Sequence, residues 1–194
     1  MKKREPVSRM IRAGIRESAG VVEGLAKEAG AIEAMAGLLV ATLRRGGSVL
    51  TAGNGGSAAE AMHMAEELSG RYRSNRRALP GVALCSDGTA LTCIANDFGY
   101  DSVFSRQVEA LGRPGDMLVV FSTSGNSPCL VRAVESARRR KMRVAALLGR
   151  GGGALAGQAD AELIVGSAAT ARIQEAHQVV LHLLLEAVEE AFGE

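Results

Sequence analysis

The sequence predicts an α/β fold built on a five-stranded parallel sheet with helices on both faces. Five short apolar segments of strand length occur along the chain, and helical patterns separate them. Two of these segments end in loops rich in glycine, serine and asparagine, at residues 53–57 and 122–127. In open parallel sheets, ligands bind at the carboxyl ends of strands where the strand order reverses. Both loops leave from such ends, so they are the first candidates for a ligand site.

The chain begins with a helical region at residues 7–45. Apolar residues recur there at helical spacing and divide the region into two helices, which a glycine pair at 46–47 terminates. The first helix carries apolar side chains ahead of any strand that could cover them. Either a partner subunit or the rest of the same chain covers this face, and the sequence favours neither.

The five strands are predicted at residues 48–52, 81–85, 117–121, 142–148 and 161–165. A long final helix at residues 170–192 follows them and contains two of the three histidines. The length of 194 residues fits a single domain with a substantial core.

The composition argues against several classes of partner. The net charge is only +2, tryptophan is absent, and aromatic residues make up 3% of the chain, which disfavours single-stranded nucleic-acid binding. Three cysteines without a CxxC spacing suggest neither a disulfide framework nor a thiolate metal site. No segment reaches the roughly 20 apolar residues of a membrane helix. We therefore expect a cytoplasmic protein without nucleic-acid or membrane partners.

The serine-rich loop suggests a phosphate site. Ser122, Thr123, Ser124 and Ser127 lie between an apolar strand and the start of a helix. Backbone N–H groups at a helix start carry a partial positive charge, and small hydroxyl side chains donate to phosphate oxygens without crowding them. An ordinary polar turn with a serine N-cap fits the same residues.

The glycine-rich loop at residues 53–57 is the second strand–loop–helix junction. Its three glycines allow the backbone to approach a ligand closely, and Ser57 is placed as a helix N-cap. The loop matches neither the dinucleotide fingerprint nor the Walker pattern.

Two helices carry residues suited to acid–base or metal chemistry. His63 and Glu67 are four residues apart, so both lie on one helix face and could share a metal ion or a proton path. A surface ion pair is the ordinary alternative. If the final helix meets this one, Gln174 and His182 could complete a mixed nitrogen and oxygen site suited to zinc. His177 points too far from His182 to share an ion, and a core histidine stays equally open.

Two polar stretches are weaker candidates. Within the basic segment at residues 71–77, Arg71 could reach a phosphate or a neighbouring subunit, whereas Arg76 and the other arginines are expected in a solvated loop. Asn96 and Asp97 are predicted in a loop, where a carboxylate could bind sugar hydroxyls or form a turn.

Taken together, five motifs resemble those of bacterial phosphoheptose isomerases, which have the sugar isomerase (SIS) fold. The motifs lie at residues 53–57, 61–72, 95–99 and 122–127, and at 172–175 together with His182. They occur in order and span essentially the whole chain. The resemblance implies a single SIS domain over residues 1–194, a flavodoxin-like three-layer sandwich, with residues 1–45 as a helical extension that packs in the oligomer.

The resemblance also implies a function. Sedoheptulose 7-phosphate would be converted to D-glycero-D-manno-heptose 7-phosphate for ADP- or GDP-heptose and the lipopolysaccharide core. The enzyme would be a homotetramer with active sites between subunits and one Zn²⁺ in each.

Carried over residue by residue, the family's roles fall into three sets. The metal ligands would be His63, Glu67, Gln174 and His182, and the acid/base residues would be Glu67 and His182. The substrate contacts would be Asn54, Gly55, Gly56, Ser57, Glu67, Arg71, Asn96, Asp97, Ser122, Thr123, Ser124, Ser127 and Gln174.

Two other functions share much of this pattern. A replication-initiator-associating protein of the same fold has a similar histidine, glutamate and glutamine pattern, although residues 66–73 look more like the isomerase. A non-catalytic sugar-phosphate-binding module would need the phosphate loop but no catalytic pair.

Overall fold

A computed structural model describes residues 7–193 of the chain; residues 1–6 of the predicted N-terminal extension lie outside this range. The helices are α1 (Val7–Gly24), α2 (Ala29–Arg44), α3 (Gly56–Ser69), α4 (Gly88–Phe98), α5 (Ser105–Leu111), α6 (Pro128–Arg139) and α7 (Thr170–Phe192). The strands are β1 (Val49–Gly53), β2 (Gly81–Ala83), β3 (Met117–Ser122), β4 (Arg143–Gly149) and β5 (Ala161–Val165). Short 3₁₀ segments lie at Leu25–Glu28, Tyr100–Ser102 and Arg150–Leu155.

The five strands form one parallel sheet in the order β2-β1-β3-β4-β5. Val49 pairs with Gly81 on one side and with Met117 on the other, so β1 lies between the strands that follow it in the chain. The predicted α/β fold is confirmed, and each predicted strand is present with its ends shifted by no more than two residues. The strand order reverses between β1 and β3, which is where open sheets of this type bind ligands.

Helices cover both faces of the sheet and give three layers. One core joins the sheet to α2, α3 and α7, with Met35, Met64 and Leu181 fully buried. The other joins it to α5 and α6, with Val108 and Ala133 fully buried. Because both faces are covered, the central strands read as continuous apolar runs: every residue of β3 is buried.

The first helix is covered only in part. It lies against α7, yet none of its own residues is buried. Val7, Met10, Ile11 and Ile15 are between 53% and 65% exposed. Packing within the chain therefore leaves an apolar stripe on α1 in contact with solvent.

Candidate active site

The two glycine- and serine-rich loops meet at the point where the strand order reverses. The β1–α3 loop and the β3–α6 loop border a cavity of about 240 Å³. Its walls are polar and small, which suits an anionic group better than a ring system. The cavity is lined by Asn54, Gly56, Ser57, Phe121, Ser122, Thr123, Ser124, Ser127, Leu130, Thr170 and Gln174.

The hydroxyl groups of the β3–α6 loop divide into two roles. Ser122 Oγ accepts a hydrogen bond from Gly125 N at 3.0 Å, and Ser124 Oγ accepts one from Asn126 N at 3.2 Å, so these two shape the turn. Gly125 has φ +63°, and a side chain there would collide with the Gly152 carbonyl. Among residues 7–193, no hydrogen bond occupies the hydroxyls of Thr123 and Ser127. Thr123 and Ser127 are therefore available to a ligand. Ser122 and Ser124, which only accept, keep their O–H hydrogens for donation.

The β1–α3 loop brings backbone close to the last helix. A side chain at Gly56 would collide with the Gln174 amide, so glycine here lets the start of α3 approach α7 closely. The predicted N-cap at Ser57 is wrong. Gly55, at φ +57°, turns the chain and caps α3, so Ser57 falls in the first turn and is 3% exposed.

Asn54 is held at the cavity wall by two neighbours. Its Oδ1 accepts a hydrogen bond from the Tyr100 hydroxyl at 2.8 Å, and its Nδ2 donates to Cys129 Sγ at 3.2 Å. Burial raises the pKa of the Cys129 thiol, so this sulfur stays a neutral acceptor. Asn54 is therefore fixed before any ligand arrives.

A second cluster forms where α3 packs on α7. The rings of His63 and His182 are 5.3 Å apart in an edge-to-face arrangement. His63 Nε2 lies 3.4 Å from Glu67 Oε1, and Tyr72 stacks on His182 with ring centroids 5.7 Å apart. The predicted meeting of the two helices is thus observed, and it joins His63, Glu67 and His182. We call these three residues the histidine centre.

Gln178 is a member of this cluster that the sequence reasoning missed. Its Nε2 atom lies 2.7 Å from His63 Nδ1 and 3.1 Å from His182 Nε2. Gln174, Gln178 and His182 are spaced four residues apart on α7, and that spacing was the available signal. Gln174 instead faces the cavity, about 6 Å along the helix axis from Gln178 and about 12 Å from His182.

The histidine centre is chemically suited to a metal. Two imidazole nitrogens and a carboxylate oxygen are the donor set of many catalytic zinc sites. The ring nitrogens His63 Nδ1 and His182 Nε2 converge on a single point, which the Gln178 amide occupies. His63, Glu66 and Glu67 also place one donor atom each within 4.8 Å of one another. The residues present therefore fit a bound divalent cation.

Comparison with known proteins identifies the family. The model of the SIS domain matches residues 15–149. A phosphoheptose isomerase of Campylobacter concisus is 52% identical over 163 residues, covering 84% of this chain and 86% of the relative. One of Aeromonas salmonicida is 50% identical over 184 residues, covering 93% and 95%. This chain belongs to the phosphoheptose isomerase family.

Solved structures give the same answer for the fold. A phosphoheptose isomerase of Neisseria gonorrhoeae superposes with a TM-score of 0.90 at 41% identity, over 95% of this chain and 100% of that one. One of Francisella tularensis gives 0.92 at 35% identity, over 95% and 99%. The SIS assignment made from the motifs is confirmed, and the protein is an isomerase of this family.

Other residues expected in a phosphoheptose isomerase site lie outside both clusters in the single chain. Arg71 is exposed and donates to Asn75 Oδ1 at 2.8 Å. Asn96 and Asp97 are exposed and hydrogen-bond each other at 2.7 Å.

The prediction that Asn96 and Asp97 lie in a loop is wrong, because they occupy the last turn of α4. Asp87 caps this helix by accepting from Thr89 N and Ala90 N. Leu91, Ile94 and Ala95 on its inner face pack on the core, so the helix extends to Phe98.

Arg76 also departs from expectation. It was predicted in a solvated loop, but its side chain is 1% exposed. Its guanidinium donates to the carbonyls of Glu67 and Leu68 at the end of α3, and to Glu189 Oε1 on α7. Arg76 therefore clamps together the two helices that carry the histidine centre.

Within residues 7–193, no helix has the length and apolar character needed to cross a membrane.

Proposed function

We propose that the protein converts sedoheptulose 7-phosphate to D-glycero-D-manno-heptose 7-phosphate. The observation that carries the proposal is the arrangement of α7. One end of this helix places Gln174 at the hydroxyl-lined cavity, and the next turns place His182 beside His63 and Glu67. The family assignment supplies the substrate, since the chain is about half identical to phosphoheptose isomerases.

The cavity between the two loops would hold the substrate phosphate. Thr123 and Ser127 offer hydroxyl donors without partners in the described chain. The start of α6 adds little, because Pro128 lacks an N–H and Leu130 N already donates to Ser127 O. A hydrogen bond to a charged group is stronger than one between neutral groups, so this end of the substrate anchors the rest. With the phosphate bound in the cavity, the carbonyl end of the sugar would extend towards the histidine centre.

Glu67 and His182 would move the protons. Interconversion of a ketose and an aldose removes a proton from C1 and returns one to C2, which needs a base and an acid on the same side. Glu67 is the carboxylate base, and its side chain is only 17% exposed. His182 is the acid, and stacking on Tyr72 fixes its ring. Arg76 positions Glu67 by binding its backbone carbonyl at 2.6 Å.

A zinc ion, one per site, would be held by His63, Glu67 and His182, with Gln174 as the fourth ligand implied by the resemblance. When bound, it would polarise the substrate oxygens and stabilise the negative charge that develops on them. His63 and His182 already lie side by side in the chain. Gln174 lies about 12 Å from His182 along the axis of α7, so its coordination would require the site to rearrange.

A homotetramer with active sites between subunits would account for the features that the single chain leaves unused. The apolar stripe of α1 would be buried between copies, consistent with residues 1–45 as an oligomerisation extension. Arg71, Asn96 and Asp97 would then contact substrate across that assembly. In the cytoplasm, the product would feed ADP- or GDP-heptose and lipopolysaccharide core synthesis.

A turnover assay tests this function. The protein is incubated with sedoheptulose 7-phosphate and zinc, and the aldose is followed by NMR. We expect the heptose 7-phosphate to accumulate to an equilibrium mixture, and a Thr123→Ser variant, which keeps the hydroxyl, to match it. Binding of the sugar phosphate without any aldose would instead indicate a non-catalytic binding module. Neither binding nor turnover, together with capture of a replication initiator, would point to the replication-associated role.

A further inference from the structure

Gln178 occupies the position on which the two histidines converge. Its amide nitrogen is 2.7 Å from His63 Nδ1 and 3.1 Å from His182 Nε2. Both distances are those of a hydrogen bond, and both end on the same atom. The side chain is half-buried on the face of α7 that meets α3, one turn from His182.

These contacts fit an arrangement in which the amide donates to both rings. An amide NH₂ group has two hydrogens and can donate one to each ring, whereas an amide oxygen could only accept. With neutral rings, His63 then carries its proton on Nε2, where it faces Glu67 Oε1 at 3.4 Å. The opposite nitrogen, Nδ1, presents its lone pair to Gln178. In this arrangement His182 Nε2 also presents its lone pair, the form in which an imidazole nitrogen binds a metal.

A metal and the amide cannot use these lone pairs together. Zinc binds imidazole nitrogen at about 2.0–2.1 Å along the lone pair, and each ring nitrogen has only one. We propose that Gln178 is an internal competitor for the metal: it holds His63 and His182 ready, and must leave before a divalent cation binds. This inference rests on the proposed metal centre and assigns Gln178 a role in setting its affinity.

Removing the amide should therefore tighten metal binding. Gln178→Leu keeps a side chain of similar size but deletes both hydrogen bonds to the histidines. Loss of two such bonds from the metal-free state corresponds to about a tenfold gain in affinity for Zn²⁺ or Co²⁺. The affinity is measured with the whole protein by competition against a chromophoric chelator. Gln158→Leu, the same change at an exposed glutamine on the other side of the sheet, serves as the matched control.

A second readout follows the metal-free protein. ¹⁵N NMR of the histidine rings should show His63 as the Nε2–H tautomer in the wild type, and exchange between tautomers in Gln178→Leu. If leucine disturbs the helix contact, Gln178→Ala tests the same competition without a bulky side chain. An unchanged or weaker affinity in both variants would overturn the proposal, and a weaker one would identify Gln178 as a ligand.

The metal centre itself is checked separately with His63→Ala. Loss of binding in that variant shows that the measured ion occupies the histidine centre. If His63→Ala binds as tightly as the wild type, the proposed centre is wrong. If it loses binding while Gln178→Leu behaves like Gln158→Leu, only the competitor role of Gln178 is wrong.

Discussion

The hydroxyl-lined cavity and the histidine centre lie about two turns apart along α7, and they are built by different means. The cavity depends on backbone: two loops leave adjacent strands, and glycines at 56 and 125 allow close approach. The histidine centre depends on side chains that project from two packed helices. Because the two sites are built separately, a substitution that weakens phosphate binding should leave proton transfer intact, and a substitution that stops proton transfer should leave phosphate binding intact.

The largest effect is expected from Glu67→Gln. The amide cannot accept the substrate proton, so turnover should fall by about a thousandfold or more, the upper end of general-base contributions. The cavity is untouched, so inhibition by inorganic phosphate should keep its wild-type constant. Steady-state kinetics measures turnover and the phosphate inhibition constant. Size-exclusion chromatography checks that the variant keeps the size of the wild type. Near-normal turnover in the variant would exclude Glu67 as the base.

Thr123→Val should produce the opposite pattern. Valine has nearly the same shape as threonine but lacks the hydroxyl, so the phosphate loses one hydrogen bond to a charged group, worth about 1.5–3 kcal/mol. We expect KM and the phosphate inhibition constant to rise roughly tenfold or more, while kcat changes little. Thr123→Ser should restore both constants. A wild-type phosphate constant in Thr123→Val would show that the loop hydroxyl does not anchor the ligand.

The two regions also differed in how far the sequence predicted them. The cavity follows from contiguous signals: an apolar strand, a run of small hydroxyl residues and a helix start appear together at 117–128. The resemblance then added Gln174 from a distant helix. Parallel strands buried on both faces are readable as apolar runs, which is why the sheet was predicted to within two residues.

The histidine centre needed tertiary information. His63 and Gln178 are 115 residues apart, and the local signal at Gln178 is only its spacing of four residues from Gln174 and His182. Arg76 was misassigned for the same reason, because its partner Glu189 is 113 residues away. A buried charge is recognisable only when its counter-charge is known.

Glu189→Gln should have the smallest effect on turnover and a clear effect on stability. Burial alone would raise the pKa of Glu189, but hydrogen bonds from Ser74 and Arg76 and the guanidinium charge outweigh it and lower the pKa from 4.5 to about 2. A carboxyl with a lowered folded-state pKa stabilises the fold above its unfolded pKa and loses that contribution as the pH falls towards 2. The free energy of unfolding of the variant should therefore be lower than that of the wild type by about 3 kcal/mol at pH 7 and by about 1 kcal/mol at pH 3.

Urea unfolding at the two pH values measures this difference. Glu186→Gln is the matched control, since Glu186 pairs with Arg73 on the surface, where the side chains are 39% and 64% exposed. Exposed pairs contribute between about 0 and 1 kcal/mol, so this control should stay near the wild type at both pH values. An equal loss at pH 7 and pH 3 in Glu189→Gln would contradict the lowered pKa. A loss of unfolding free energy that becomes smaller as the pH falls would confirm the lowered pKa of Glu189. It would also support the stabilising contact that Arg76 makes between α3 and α7, on which the histidine centre depends.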